Sequence, residues 1–351
     1  MTLEDAQALR AIDRSGLLDA FLSLPEQFAQ SFPVGLAATS LPRTDEVRAV
    51  LFCAMGGSAA PGDLIAAAFR DRARIPMVAI RGYDVPAHAT PETLVVCVSY
   101  SGSTEETLSA FRQARDRGCP TVAICSGGAL AEEALQVVRI PSGLQPRAAL
   151  GHLAGATLGV LAPWWAGTEN DGAIGEEVAL TLGGLASRLG PETPAPENEA
   201  KDVAAWLGER VPVIWGSEGV AAAAAWRWRC AFSENAKAPA FSSELPELDH
   251  HEVAGWAPGS GERFALIVLR HDGEHTSVGP RLRATLEAIE EAGLLVREVR
   301  AAGDSDFARG LGLMLLGDAV STYHALARGV DPTPIHAIDR VKESLARETG
   351  P

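Results

Sequence analysis

Leu94-Val95-Val96-Cys97-Val98-Ser99-Tyr100-Ser101-Gly102-Ser103-Thr104-Glu105-Glu106-Thr107 decides how this chain folds. Five consecutive apolar residues describe a strand buried on both faces, as in a parallel sheet covered by helices. From Glu105 onward, apolar Leu108, Phe111 and Ala114 fall at helical spacing. The hydroxyl-rich turn between them therefore sits at a helix start. Free backbone N–H groups and the positive end of the helix dipole favour an anion there, and Ser99, Ser101, Ser103 and Thr104 add short neutral donors. The alternative is an ordinary turn with an N-cap.

A second strand–turn–helix lies about forty residues earlier. Ala49 to Cys53 is an apolar strand, followed by Met55-Gly56-Gly57-Ser58 and an apolar helix from Leu64 to Phe69. Glycines there allow close approach to a ligand or a positive φ. Two such turns on one parallel sheet converge at its carboxyl edge, where one phosphate can be held by both. Further strands are expected at Pro76–Ile80, Thr121–Ile124 and Val137–Ile140, with the Pro-containing stretch Arg81–Thr93 as a loop. Asp5–Phe32 reads as one or two amphipathic helices outside the sheet, and Ala148–Leu161 as an apolar helix. The polar, proline-rich segment Leu189–Glu199 reads as a linker. After it a second α/β alternation is expected: strands Val211–Trp215, Phe264–Leu269 and Leu294–Val299, helices Ala221–Phe232 and Arg281–Ala292. The fold class is α/β, two doubly wound parallel-sheet, flavodoxin-like domains flanked by helices. Residues 1–188 hold the phosphate-binding half and residues 200–351 the second half with its C-terminal helix. Gly216-Ser217-Glu218-Gly219 takes the place of the first glycine turn, but no second serine-rich turn follows, so only the first half suits phosphate.

The chain has 351 residues and a formal net charge of −15. No basic stripe is present to neutralise a nucleic acid, and no apolar run is long enough to span a bilayer, so neither nucleic acid nor membrane is an expected partner. The acidic N-terminus is unlike a secretory leader, and the five cysteines contain no CxxC pair. They read as buried small hydrophobes of a cytoplasmic protein, with disulfide and metal readings both weak. Of the 30 basic residues only Lys201, Lys237 and Lys342 are lysine.

Three segments add chemistry. In Gln145-Pro146-Arg147-Ala148-Ala149-Leu150 an arginine opens an apolar helix, where it either overhangs a ligand or points to solvent. Glu234 and Lys237 close an Ala- and Trp-rich helix. A carboxylate in apolar surroundings is costly unless paired and suits a general base, although a helix-face pair of the two is the ordinary alternative. In Glu247-Leu248-Asp249-His250-His251-Glu252 the adjacent histidines point in different directions, which disfavours a metal and favours one imidazole used for proton transfer. His271 and His275 flank Gly273 in what reads as a solvated polar loop. Trp226-Arg227-Trp228 reads as packing of the core or of a dimer interface.

In order, Met55-Gly56-Gly57-Ser58, Ser99 to Glu106, Pro146 to Ala149, Glu234-Asn235-Ala236-Lys237 and Glu247-Leu248-Asp249-His250 resemble the motifs of the bifunctional phosphoglucose/phosphomannose isomerases, members of the sugar isomerase (SIS) domain superfamily. The resemblance runs from about Val47 to the C-terminal helix. It implies an aldose–ketose isomerase that interconverts glucose 6-phosphate and mannose 6-phosphate with fructose 6-phosphate, without metal or cofactor. It assigns Gly57, Ser58, Ser99, Ser101 and Thr104 to the substrate phosphate, Glu234 to the proton shuttle between C1 and C2, and Arg147 to the enediolate charge. It further assigns His250 and Lys342 to ring opening, with His250 reaching in from the partner of a homodimer. Asp249 and His251 stand where the family usually has Asn, and Pro61 where small residues are common. Asp249 is expected to act on the charge of His250, and Pro61 to stiffen the phosphate turn. A non-catalytic sugar-phosphate sensor is the competing reading, since a fold alone does not settle function; a sensor would not need Glu234, His250, Arg147 and Lys342 together. An isomerase for another phosphosugar is the third.

Overall fold

The computed structural model describes residues 2–39, 41–165 and 173–349. The first sheet comprises β1 (Ala49–Ala54), β2 (Met77–Ile80), β3 (Thr93–Val98), β4 (Thr121–Cys125) and β5 (Val137–Arg139), all parallel, in the order β2-β1-β3-β4-β5. This is the flavodoxin-like order, with the strand order reversing between β1 and β3. Alternate residues leave a strand on opposite faces, and both faces are filled. Val50, Phe52, Leu94, Val96, Val122 and Ile124 enter the main core. Leu51, Cys53, Val95, Cys97, Ala123 and Cys125 pack against Phe111 and Leu130 on the other side. The continuous apolar strands follow from that double burial, which contributes about 1.5–3 kcal/mol for each large side chain.

The second sheet comprises β6 (Val211–Ser217), β7 (Phe241–Leu245), β8 (Phe264–Arg270) and β9 (Leu295–Arg300), parallel in the order β7-β6-β8-β9. It repeats the first order, with β6 and β8 in the places of β1 and β3. Ile214, Ile267 and Leu269 enter the same main core as the first sheet, so the two halves share one apolar interior. The helix Asp306–Ala327 runs through it, with Leu311, Met314, Leu315, Val320 and Tyr323 all 0% exposed. The amino-terminal region forms three helices, Ala6–Ile12, Leu17–Leu22 and Leu24–Leu36, where one or two were expected. The last lies against Leu150–Val160, closely enough that a Cβ on Gly155 would fall 2.8 Å from the Phe28 carbonyl oxygen. Cys53, Cys97, Cys119 and Cys125 are buried thiols. No described helix is long and apolar enough to cross a membrane.

Two expectations are corrected. β7 was not foreseen, because Phe241-Ser242-Ser243-Glu244 is a partly exposed edge strand without an apolar run. His271 is not solvated: it is 4% exposed, under the start of the helix Asp306–Ala327, with Nδ1 3.7 Å from Asp306.

Candidate active site

Both turns expected to bind anions lie at the carboxyl edge of the first sheet, side by side. Gly56–Ala59 is a single 3-10 turn after β1, leading into the helix Ala60–Ala68. Pro61 belongs to the first turn of that helix, directly after the glycine turn, where its missing N–H costs nothing. The Tyr100 N–H donates to Ser58 Oγ at 3.3 Å and ties the second turn to the first. Within the second turn, Ser99 Oγ lies 2.9 Å from Thr104 Oγ1 and accepts the Gly102 N–H at 3.1 Å. Gly102 has φ +67°, and a Cβ there would strike the Gly127 backbone, so only glycine fits. Thr104 is the N-cap of the helix Glu105–Asp116, yet its side chain makes no capping bond. The first N–H groups of that helix are therefore left for a ligand, which separates this turn from an ordinary capped one.

Arg147 is 3% exposed in the turn Pro146–Ala148 that follows β5. Its backbone touches the phosphate turn: a Cβ on Gly57 would lie 3.2 Å from Arg147 Cα and 3.1 Å from Arg227 Nη1. Its guanidinium donates from Nε to Asn235 Oδ1 at 2.9 Å and from Nη2 to the carbonyls of Pro332 and Thr333 at 3.0 and 2.7 Å. Nη1 has no acceptor among the described residues. Burial pushes the Arg147 pKa down, against the opposing pull of Glu234. A buried cation with one free nitrogen is what a developing oxyanion needs.

Glu234 sits where the helix Val220–Ala231 widens into a π-helical turn, Phe232–Ala236. Single π turns are frequent at functional sites because they re-aim side chains without ending the helix. The Glu234 carboxylate has no hydrogen-bond partner among the described residues. Lys237 binds its carbonyl oxygen instead, at 2.6 Å, so the helix-face ion pair is not formed. Gly57, Ser58, Ser99, Thr104, Arg147 and Glu234 are thus joined through Tyr100, Asn235 and Arg227.

His250 and Lys342 are not brought to that cluster. His250 is exposed in the turn Glu247–His250 after β7 and makes no bond to the cluster residues. Asp249 accepts from Thr285 Oγ1 at 2.8 Å and Arg281 Nη1 at 3.1 Å, and no hydrogen bond joins it to His250 among the described residues. Lys342 is exposed on the helix His336–Thr349, which also exposes Ile338 and Val341.

Sequence reasoning missed Arg227. This 2% exposed side chain donates from Nη2 to the Arg147 carbonyl at 2.7 Å and from Nε and Nη2 to Asp318 at 3.1 and 2.9 Å. Burial pushes the Asp318 pKa up to about 6 against the pull of Arg227. An arginine between two tryptophans in an alanine-rich helix was the available signal: buried arginine is rare unless paired. Asn235 was quoted but given no role; it is fully buried and donates to Ser321 Oγ at 3.0 Å while receiving Arg147. Tyr100 also had none, yet its hydroxyl accepts the Leu144 N–H at 2.9 Å and so places the loop that delivers Arg147.

Comparison with known proteins gives matches over both halves. Residues 46–162 match the SIS domain family, and residues 196–345 match the bacterial phospho-glucose isomerase C-terminal SIS domain. A bifunctional phosphoglucose/phosphomannose isomerase of Caldicellulosiruptor bescii is 35% identical over 94% of this chain and 99% of its own. A second, from Aquifex aeolicus, is 32% identical over 86% of this chain and 91% of its own. Among solved structures, a hypothetical protein of Thermus thermophilus superposes with a TM-score of 0.75 at 17% identity, covering 99% of this chain and 95% of that one, a likeness of fold.

Proposed function

Since the chain belongs to the bifunctional phosphoglucose/phosphomannose isomerase family, we propose that it interconverts glucose 6-phosphate and mannose 6-phosphate with fructose 6-phosphate through a cis-enediol. The observation that supports this reading most is the run of contacts from Gly57 through Arg147 to Asn235, next to Glu234 in its turn. The phosphate is gripped by Gly57, Ser58, Ser99, Ser101, Thr104 and the free N–H groups of the helix Glu105–Asp116. With the phosphate tethered, the sugar carbons are held against Glu234, and a bimolecular proton transfer becomes effectively unimolecular. Glu234 removes the proton from C2 of the open aldose and returns it to C1, while Arg147 Nη1 stabilises the negative oxygen of the enediolate. Both epimers pass through the same enediol, and which one forms depends on which face of C2 is turned toward the Glu234 carboxylate when the proton returns.

His250 and Lys342 open the sugar ring, and they do so in a homodimer. The exposure of His250 outside the cluster of its own chain supports delivery across the interface, as does the exposed Ile338 and Val341 face of the terminal helix.

A coupled assay with each aldose phosphate in the presence of EDTA tests the reading, with turnover of both expected. Glu234→Gln should lower kcat at least about 100-fold, the lower end for a general base, while fructose 6-phosphate still binds. Mixing Glu234→Gln with His250→Ala copies should restore up to about a quarter of wild-type activity, because half of the statistical dimers then carry one intact shared site. Failure of wild-type turnover with intact binding would instead favour a sugar-phosphate sensor.

A further inference from the structure

Lys237 is the one non-glycine residue with a positive φ among the described residues, at +52°. A residue with a Cβ is held there only when its surroundings fix it. Here the side chain does so. Nζ donates to the Glu234 carbonyl at 2.6 Å and to the Pro332 carbonyl at 2.7 Å. Pro332 is also an acceptor for Arg147 Nη2, so two cations from different parts of the chain converge on one carbonyl oxygen. One ammonium thus closes the turn that aims Glu234 and clamps the loop that orients Arg147.

We propose that Lys237 is a positioning residue for the isomerisation, a latch that sets the base and the enediolate cation together. The inference rests on the isomerase reading given above. Four charged groups face the latch. Glu234 comes from its own turn and Arg147 from the turn after β5. Asp331 comes from the clamped loop, and Arg328 donates to the Ala236 carbonyl from the end of the helix Asp306–Ala327. Partial burial, with the nearby Arg147 charge, brings the Lys237 pKa down to about 8, against Asp331 and Glu234. Above that pH both hydrogen bonds lose their charge assistance while the protein stays folded. Arginine keeps its charge but has a wider, planar head, and methionine keeps the stem alone.

The test measures kcat and KM for fructose 6-phosphate from pH 6.5 to 9.5 in wild type, Lys237→Arg and Lys237→Met, with a thermal melt of each. Wild type should show kcat falling along an alkaline limb centred near pH 8. Lys237→Arg should abolish that limb and keep at least about a tenth of the neutral-pH kcat. Lys237→Met should lower kcat at least about ten-fold with KM changed less than about three-fold. An unaltered limb in Lys237→Arg, or an unaltered kcat in a folded Lys237→Met, overturns the latch and leaves the isomerase reading standing. Absence of turnover in wild type removes both. If Lys237→Met does not fold, the pH profile of Lys237→Arg decides alone.

Discussion

The two sheets have the same strand order, yet their carboxyl edges are furnished in opposite ways. Beyond β1 and β3 the groups facing the edge are hydroxyls and backbone N–H groups, and the helix Glu105–Asp116 begins uncapped. Beyond β6 and β8 the edge is already filled by charge. Arg270, 6% exposed, donates from Nε to both carboxylate oxygens of Glu274 at 2.8 Å and from Nη1 to Glu298 at 3.3 Å. Arg270 Nη2 also reaches Glu274 and lies 3.4 Å from a Cβ built on Gly279, in the first turn of Val278–Ala288. Glu274 thus occupies the second edge as a resident anion. A parallel sheet with helices creates an anion-binding edge by geometry alone, but the edge accepts a ligand only where the chain does not supply its own carboxylate.

The comparison breaks if a carboxylate at the first edge is tolerated. Ser101→Glu makes that edge resemble the second. Ser101 is exposed, so the fold should hold, while a unit charge about 4 Å from a phosphate dianion costs roughly 2–8 kcal/mol between bulk-water and near-surface screening. Calorimetric titration with fructose 6-phosphate should show binding weakened by about 30-fold or more. The reciprocal change, Glu274→Gln, removes the resident anion from a mostly buried arginine. Glu298 remains, so the loss should be about 2 kcal/mol, below the usual range for breaking a buried pair. A lower melting temperature with kcat unchanged within about two-fold is expected, and a fall in kcat would show that the second edge takes part in turnover. A smaller effect returns to the first edge. Ser99→Ala deletes one hydroxyl of the Ser99–Thr104 pair, a loss of about 1 kcal/mol, so KM should rise about five-fold with kcat little changed.

That contrast was only half legible in the sequence. Leu94–Val98 and the serines after it announce both a doubly buried strand and donors without a partner, because each signal is local. The absence of a second serine-rich turn was also visible. What fills the second edge was not, since Arg270 is the last residue of a strand and its pairing with Glu274 depends on how a Gly-containing loop folds back. Arg227, Asn235 and Tyr100 escaped for a related reason: the side-chain hydrogen bonds described above join them to residues 44 to 91 positions away in sequence. The helix Asp306–Ala327 left no 3.6-residue period because it is buried all round. Glu234 could be singled out as a carboxylate in apolar surroundings, whereas the choice of His250 over His251, and a role for Lys342 in ring opening, came only through resemblance.

Acid provides the finest discrimination between the edges. The hydroxyls and backbone N–H groups of the first do not titrate between pH 3 and 7, so their arrangement should not change there. Glu274 does titrate, and its pKa is lowered: burial pushes it up, but hydrogen bonds and charge attraction from Arg270 outweigh that cost. A carboxyl whose folded pKa is depressed contributes stability above its unfolded value, near 4.5, and loses it as pH falls through the folded value. Melting temperatures of wild type and Glu274→Gln should therefore differ by a constant amount from pH 7 to about 5 and converge below about 4.5. Ser99→Ala should run parallel to wild type over the same range, because no proton is linked to its loss. Parallel curves for Glu274→Gln down to pH 3 would mean that Glu274 carries no charge-dependent stability, and that the second edge is closed to ligands by packing alone.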